Sequence, residues 1–339
     1  MATIKDVAKL SGVSPSTVSI ILNGNSSKRK ISEKTQKKVM NAIKELNYHP
    51  NISARKLRNQ NVPSNPTIAL YWSSDIRVNI ISRFLRGLQD EIIKSNYNFD
   101  IVICPYKTDF IHLEKGINTN NIFNAAIIAN ISTADMEYLN ATTSKLPIIL
   151  FNRLSDKYSS VNVNNYKMGE KAANLFTKKG HKKASAILTK SLNTAMDNRN
   201  KGFIETCYKN SIEISSEYIL EADNSIAGGV KAAKKLLKLT NMPKALFCNS
   251  DSIALGALHI FNKKRIKVPE DIEIIAIGMN DSEHTEFSTP PITIVDIPIE
   301  KMAGKCIELI SNLLNQKLES PTSILFDGPL IMRDSCKVK

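Results

Sequence analysis

Residues 4–24, IKDVAKLSGVSPSTVSIILNG, carry the parts of two short helices joined by a tight turn. Thr3 precedes the first helix as an N-cap, and Asp6 three positions on makes an arrangement close to a capping box. Val7 and Leu10 give that helix an apolar edge, and Ser11-Gly12 breaks it. Ser14-Pro15 then reads as the N-cap and first helical position of a second helix. Helix, glycine-bearing turn and helix are the components of a helix-turn-helix unit. On the second helix Val18, Ile21 and Leu22 fall at i, i+3, i+4 and face the first. Ser16, Thr17 and Ile20 fall on another face, open to a partner, where short hydroxyl side chains suit a groove and its phosphates. Ile20 can be read either as a core residue or as part of that open face. Asn23-Gly24 fits a helix C-terminus. Ser32 caps a third helix whose Val39, Ile43 and Leu46 close a three-helix core, with Lys34, Lys37, Lys38 and Lys44 outside.

Beyond this head, residues 51–58 hold Ala54, Leu57 and the cations Arg55, Lys56 and Arg58. A polar stretch with Pro63 and Pro66 follows. The expected organisation is a helix-turn-helix domain over 1–50, a hinge helix and linker over 51–66, and a larger domain over 67–339. Charge supports the division. The first sixty residues carry twelve Lys and Arg against three Asp and Glu, and the rest 34 against 29, out of a formal net charge of +14. Under a fifth of the chain thus holds about two-thirds of the excess, which points to a polyanion partner for the head.

From residue 67 onward, apolar runs of strand length alternate with amphipathic stretches of helix length. The strands are TIALYW (67–72), FDIVIC (99–104), AAIIA (125–129), LPIILF (146–151), ASAIL (184–188), KALFC (244–248) and IEIIAI (272–277). Helical patterns cover 80–94, 166–179, 226–239 and 252–264. Continuous Val/Ile/Leu runs between helices predict parallel, doubly wound sheets covered on both faces, and their number predicts two lobes. In such sheets ligands bind beyond the carboxyl ends of the strands. The residues there are Trp72 to Asp75, Asn152-Arg153, Asn249 to Asp251 and Asn280-Asp281, joined by Arg199. Amides, carboxylates, one Arg and one Trp suit a polyhydroxylated ligand such as a sugar. Singly, each has a plainer reading: Asp251 serves equally as a helix cap, and Arg199 as a surface cation.

The run 4–24 and the following ISEKTQKKVMNAIKELNYHPNISARKL (31–57) together resemble the LacI/GalR family of bacterial transcriptional regulators, across the whole head and hinge. The resemblance implies a recognition helix, opened by Ser14, in the major groove of DNA. It places Ser16, Thr17 and Ile20 at base-facing positions, and Ser19 and Asn23 at groove and backbone contacts. Thr3 and Asn51 would hold phosphates, and Ala54 and Leu57 would enter the minor groove, with Leu57 as a wedge. Many members carry a polar residue where this chain has Ile20. Arg there can read guanine bidentately, whereas Ile can touch only apolar groups such as a thymine methyl. The stretches KALFCNSDSIALGAL (244–258), VPEDIEIIAIGMND (268–281) and STPPITIVDIP (288–298) are similar to the family's periplasmic-binding-protein-like domain. By that resemblance Asn152, Arg199, Asp251 and Asn280 are effector contacts, with Trp72, Asp75 and Asn224 on neighbouring loops. Asn280 stands where many members have Asp, a different hydrogen-bonding partner for the ligand.

The expected function is therefore a repressor of a carbohydrate-utilisation operon, acting as a homodimer on a pseudo-palindromic operator and controlled by a small ligand, a sugar, between the lobes. The tail LIMRDSCKVK (330–339) has no apolar heptad, so no tetramer through a terminal coiled coil is expected. A transport-type binding protein would need export, but the start is polar and basic, which predicts a cytoplasmic protein. No apolar run approaches the roughly 18 residues that span a bilayer. An enzyme is disfavoured, because no G-x-G-x-x-G, P-loop, G-x-S-x-G or H-E-x-x-H occurs. Five scattered cysteines and five scattered histidines suggest no disulfide framework, no metal and no cofactor.

Overall fold

The computed structural model describes residues 3–22, 26, 29–46, 48, 65–73, 78–119, 122–189, 194–317 and 321–337. At the amino end, helices α1 (Ile4–Ser11), α2 (Pro15–Leu22) and α3 (Glu33–Glu45) form the head. Its local signals work as their chemistry dictates. The Thr3 hydroxyl accepts from the Asp6 N–H at 3.3 Å while the Thr3 N–H donates to the Asp6 carboxylate at 2.7 Å, a reciprocal capping box. Gly12 ends α1 at φ +68°, a left-handed conformation that costs glycine nothing. Ser14 accepts from the Thr17 N–H at 3.1 Å and Ser32 from the Thr35 N–H at 3.3 Å, so each following helix starts on a satisfied donor. Val7, Ala8, Val18, Ile21, Val39 and Ala42 are the buried core of this unit.

The larger part holds two six-stranded sheets. Strands β1 (Thr67–Ser73), β2 (Asp100–Tyr106), β3 (Ala125–Ala129), β4 (Ile148–Phe151) and β5 (Ser159–Val163), with helices α4 (Val78–Lys94) and α5 (Thr133–Ala141), make the first lobe. The second is built from α6 (Asn165–Lys178), β6 (Ser185–Thr189), α7 (Thr194–Lys209), β7 (Ile219–Ala222) and α8 (Ile226–Leu236). It continues through β8 (Ala245–Cys248), α9 (Asp251–Lys263), β9 (Glu273–Gly278), α10 (Glu283–Glu286) and β10 (Thr293–Asp296). The chain returns to the first lobe with α11 (Ile299–Leu314) and β11 (Ser323–Phe326), and ends on β12 (Leu330–Ile331) in the second. It crosses between lobes three times, after β5, after β10 and between β11 and β12.

Strand orders are β11-β5-β4-β3-β1-β2 and β12-β10-β9-β8-β6-β7. The first sheet is parallel throughout. In the second only β12 runs antiparallel, against β10, a departure from the all-parallel expectation. All seven strands expected from apolar runs are present. Five more were not legible, and β5 shows why. Its sequence SSVNV is polar yet wholly buried, because Asn162 donates to Ser160 at 2.9 Å and Ser160 to Ser323 of β11 at 3.2 Å. Hydrogen bonds to a strand more than 160 residues away remove the cost that hydropathy assigns to those side chains.

Candidate functional site

On the head, Ser14, Ser16 and Thr3 are exposed, and Thr17, Ser19 and Ile20 are half-buried. Ile20 is not among the described residues that build the head's core, whereas Val18 and Ile21 on the opposite face are. We propose on this arrangement that Ile20 belongs to the open face. The expected outcome of Ile20→Arg is an operator preference shifted toward guanine, with the folding stability of the head unchanged, as read by selection from a randomised duplex pool and by thermal melting. An unchanged preference together with a loss of stability would return Ile20 to the core. Asn23, Asn51, Ala54 and Leu57 lie outside the described residues, as does Asp75 in the larger domain.

Between the lobes, the sheet orders dictate where a ligand belongs. The winding direction reverses between β1 and β3 in one sheet and between β6 and β8 in the other, and crevices open at the carboxyl ends of such strand pairs. Three buried polar atoms without a hydrogen-bond partner among the described residues lie at those ends. They are Trp72 Nε1 on β1, Asn130 Nδ2 after β3 and Ser250 Oγ after β8. Buried polar groups are nearly always satisfied, so orphans gathered at strand ends are places where a ligand's polar groups fit. Trp72 itself is only 4% exposed and packs on Phe84, with ring centroids 5.5 Å apart.

A cavity of about 450 Å³ opens along the crossover after β5, within the range of small-molecule sites. Asn152, Leu154, Asn164, Tyr166, Thr194 and Asn198 are among its lining residues. Two amides of its wall, Asn152 and Asn165, are hydrogen-bonded to each other, and behind them Asn165 is bonded to a guanidinium. Asn165 Nδ2 donates to Asn152 Oδ1 at 3.1 Å, and Arg199 Nε donates to Asn165 Oδ1 at 2.8 Å. Asn152 sits at φ +56°, which Asn tolerates better than most residues. Arg199 is 1% exposed, not a surface cation. Helices α6 and α7 meet closely around it: a Cβ at Gly169 would collide with the Arg199 backbone, and one at Gly202 with that of Tyr166. Arg153 spans the cleft mouth, donating to Thr194 at 3.0 Å in the second lobe and to Thr133 at 3.4 Å in the first.

Asp251 and Asn280 form a second group. The Asp251 carboxylate accepts the Met279 and Asn280 N–H groups at 2.9 and 2.7 Å, the Ser252 N–H at 2.8 Å and Asn280 Nδ2 at 2.5 Å. Burial pushes its pKa up, against those four donors. Asp251 is thus neither the cap of α9, whose N-cap is Ser250, nor free in this conformation. It holds the 279–280 segment in place. Arg199 touches the same segment through the Met279 sulfur at 3.5 Å, which links the two groups. Asn224 is exposed before α8 and is joined to none of these residues by a hydrogen bond. Ser250 was among the residues the strand-end rule named, whereas Asn130 and Asn165 were missed. The same rule could have found Asn130, which follows β3, whereas Asn165 needed the undetected β5.

Residues 3–51 match the lacI family of bacterial regulatory proteins, and residues 173–336 match the periplasmic binding protein-like domain. The whole chain is similar to the HTH-type transcriptional regulator RegA of Clostridium saccharobutylicum, 31% identical over 343 residues and 99% of both chains. The chain belongs to the LacI family. Other LacI-family similarity runs to the probable HTH-type transcriptional repressor ExuR of Bacillus subtilis, 28% identical over 99% of each chain. It also runs to the crystal structure of a LacI family transcription regulator from Clostridium acetobutylicum, at 72% identity and a TM-score of 0.78 over 79% of this chain and 100% of that one. This LacI-family protein is a DNA-binding transcription regulator with a ligand-binding domain. Among its described residues, no helix is long and apolar enough to cross a membrane.

Proposed function

We propose that this regulator represses a carbohydrate-utilisation operon, with its DNA affinity set by a sugar bound between the two lobes. The observation that carries the reading is the amide wall Asn152–Asn165–Arg199 beside the cavity. Amides offer a donor and an acceptor each, which matches hydroxyls, and the guanidinium fork can grip two adjacent ones. In this reading Trp72, Asp75, Asn224, Asp251 and Asn280 complete the effector site. Ser14, Ser16, Thr17, Ser19, Ile20 and Asn23 meet the major groove, Thr3 and Asn51 the phosphates, and Ala54 and Leu57 the minor groove. Residues 51–66 act as the hinge between a head over 1–50 and a core over 67–339. Lobe closure on the ligand rotates the linked heads and alters their spacing on DNA. The protein acts by binding, in the cytoplasm, without turnover or cofactor. Thermal melting against neutral mono- and disaccharides, sugar acids and nucleobases tests the ligand class. Stabilisation by a member of the sugar classes is expected, since a ligand bound only by the folded state raises its melting temperature. Stabilisation by a nucleobase alone would overturn the sugar reading.

The operator-bound form is a homodimer in this proposal, because two-fold symmetry doubles the few base pairs one head can read. Strand β2 supports it. The strand is one of the two edges of the first sheet and leaves Val102 and Ile103 exposed, apolar surface that an unprotected edge seldom presents to water. Light scattering at micromolar concentration should give a dimer's mass. A stable monomer or tetramer would count against the arrangement.

A further inference from the structure

A buried ionic group, outside the amide wall, joins the two lobes. Arg83 of α4 is 5% exposed. It grips Glu300 of α11 through Nε and Nη2, both at 2.7 Å, and Asp296 at the end of β10 through Nη1 and Nη2 at 3.1 and 3.3 Å. The same Nη1 donates to the carbonyl oxygens of Asn280 at 3.1 Å and Met279 at 3.4 Å. Arg83 and Glu300 belong to the first lobe, whereas Asp296 and the 279–280 segment belong to the second. The pairing with Glu300 is set by a close helix crossing, since a Cβ at Gly87 would collide with the Glu300 backbone. Next to it, Arg86 of α4 meets Asp281 at 3.2 Å.

The 279–280 segment is therefore held from both sides. Its N–H groups go to Asp251 in its own lobe and its carbonyls to Arg83 in the other. Any group that competes for the Asn280 side chain must work against peptide units that Arg83 fixes to the first lobe. We infer that Arg83 is a positioning residue and an interlobe latch. It sets the register of Asn280 in the site and makes that segment's position depend on lobe closure. Structure-wise the planar fork is essential, because a Lys ammonium at the same place cannot span two carboxylates and a carbonyl pair at once. This inference rests on the reading of the cleft as the effector site only for its regulatory consequence. The latch itself is a property of the protein without ligand.

The test uses the full chain, free of ligand, as wild type, Arg83→Lys and Glu300→Gln. Spin labels on azide-bearing residues placed at the exposed Glu137 and Lys231 report the distance between lobes, and hydrogen exchange reports the Met279 and Asn280 amides. For Arg83→Lys we expect a second, longer lobe distance and about tenfold faster exchange at 279–280, with exchange in α4 and α11 within about twofold of wild type. Glu300→Gln keeps the shape and the Asp296 contact, and should move both readings the same way by less. It also decides the matter if Arg83→Lys fails to fold. An unchanged lobe distance in the folded variants overturns the latch, as does faster exchange spread evenly through α4 and α11, which would mark a merely structural ion group. The sugar-panel melting is a separate arm. If no sugar shifts the wild type, the effector reading fails while the lobe distances still decide the latch.

Discussion

Arg199→Met should abolish the effector response while leaving ligand-free operator affinity close to wild type. The guanidinium is buried, oriented by Asn165 and in touch with Met279, so a ligand that bonds to it meets a fixed, desolvated cation. Truncating one partner of a buried hydrogen-bonded charge contact costs about 2–5 kcal/mol, roughly a 30- to 5,000-fold loss of ligand affinity. Met keeps much of the volume, so the α6–α7 crossing at Gly169 and Gly202 need not collapse. Arg199 lies on α7 of the larger domain and not in the head, which is why binding to DNA without ligand should persist. Calorimetric titration with the stabilising sugar and gel-shift titration of an operator duplex check the two halves. A variant that still responds at the wild-type ligand concentration would remove Arg199 from the site.

Operator affinity should fall about 10³- to 10⁵-fold between 50 and 200 mM salt, the loss characteristic of proteins that neutralise roughly 6–10 phosphates. The basis is the concentration of twelve cations in the first sixty residues, with Lys34, Lys37, Lys38 and Lys44 exposed on α3. Replacing a phosphate-facing cation should weaken all duplexes alike and flatten the salt slope by about one per head. Lys34→Ala is the variant to measure. Ser16→Ala, by contrast, should alter the preferred bases and leave the slope as it was. If Lys34→Ala changes base preference instead, that side of α3 reads bases rather than the backbone.

The two results would bear on different ends of the molecule, and those ends differ in how far the sequence could be read. In the head, almost every determinant is local. Thr3 with Asp6, Ser14 with Thr17, and Ser32 with Thr35 are bonds across three residues, so caps, turn and amphipathic faces appear in the order of the letters. Apolar strands such as AAIIA were equally plain, because a strand buried on both faces needs little else. Positions after those strands gave Asn152, Asp251 and Asn280, and the family pattern gave Arg199.

Tertiary structure decided the rest. Polar β5 is buried only because β11 lies beside it, and no local window contains both. Asp251 reads as a cap or a ligand contact until the fold brings residues 279–280 to its oxygens. Arg83 looks like one more helix cation until α11 and the end of β10 surround it with carboxylates from residues more than 200 positions away. By itself the sequence determined the helices of the head, the apolar buried strands and where charge gathers, since those follow from neighbours along the chain. Which buried polar groups find partners, and so which are left for a ligand or tie one lobe to the other, depends on the three crossings between lobes, and that only the folded chain could decide.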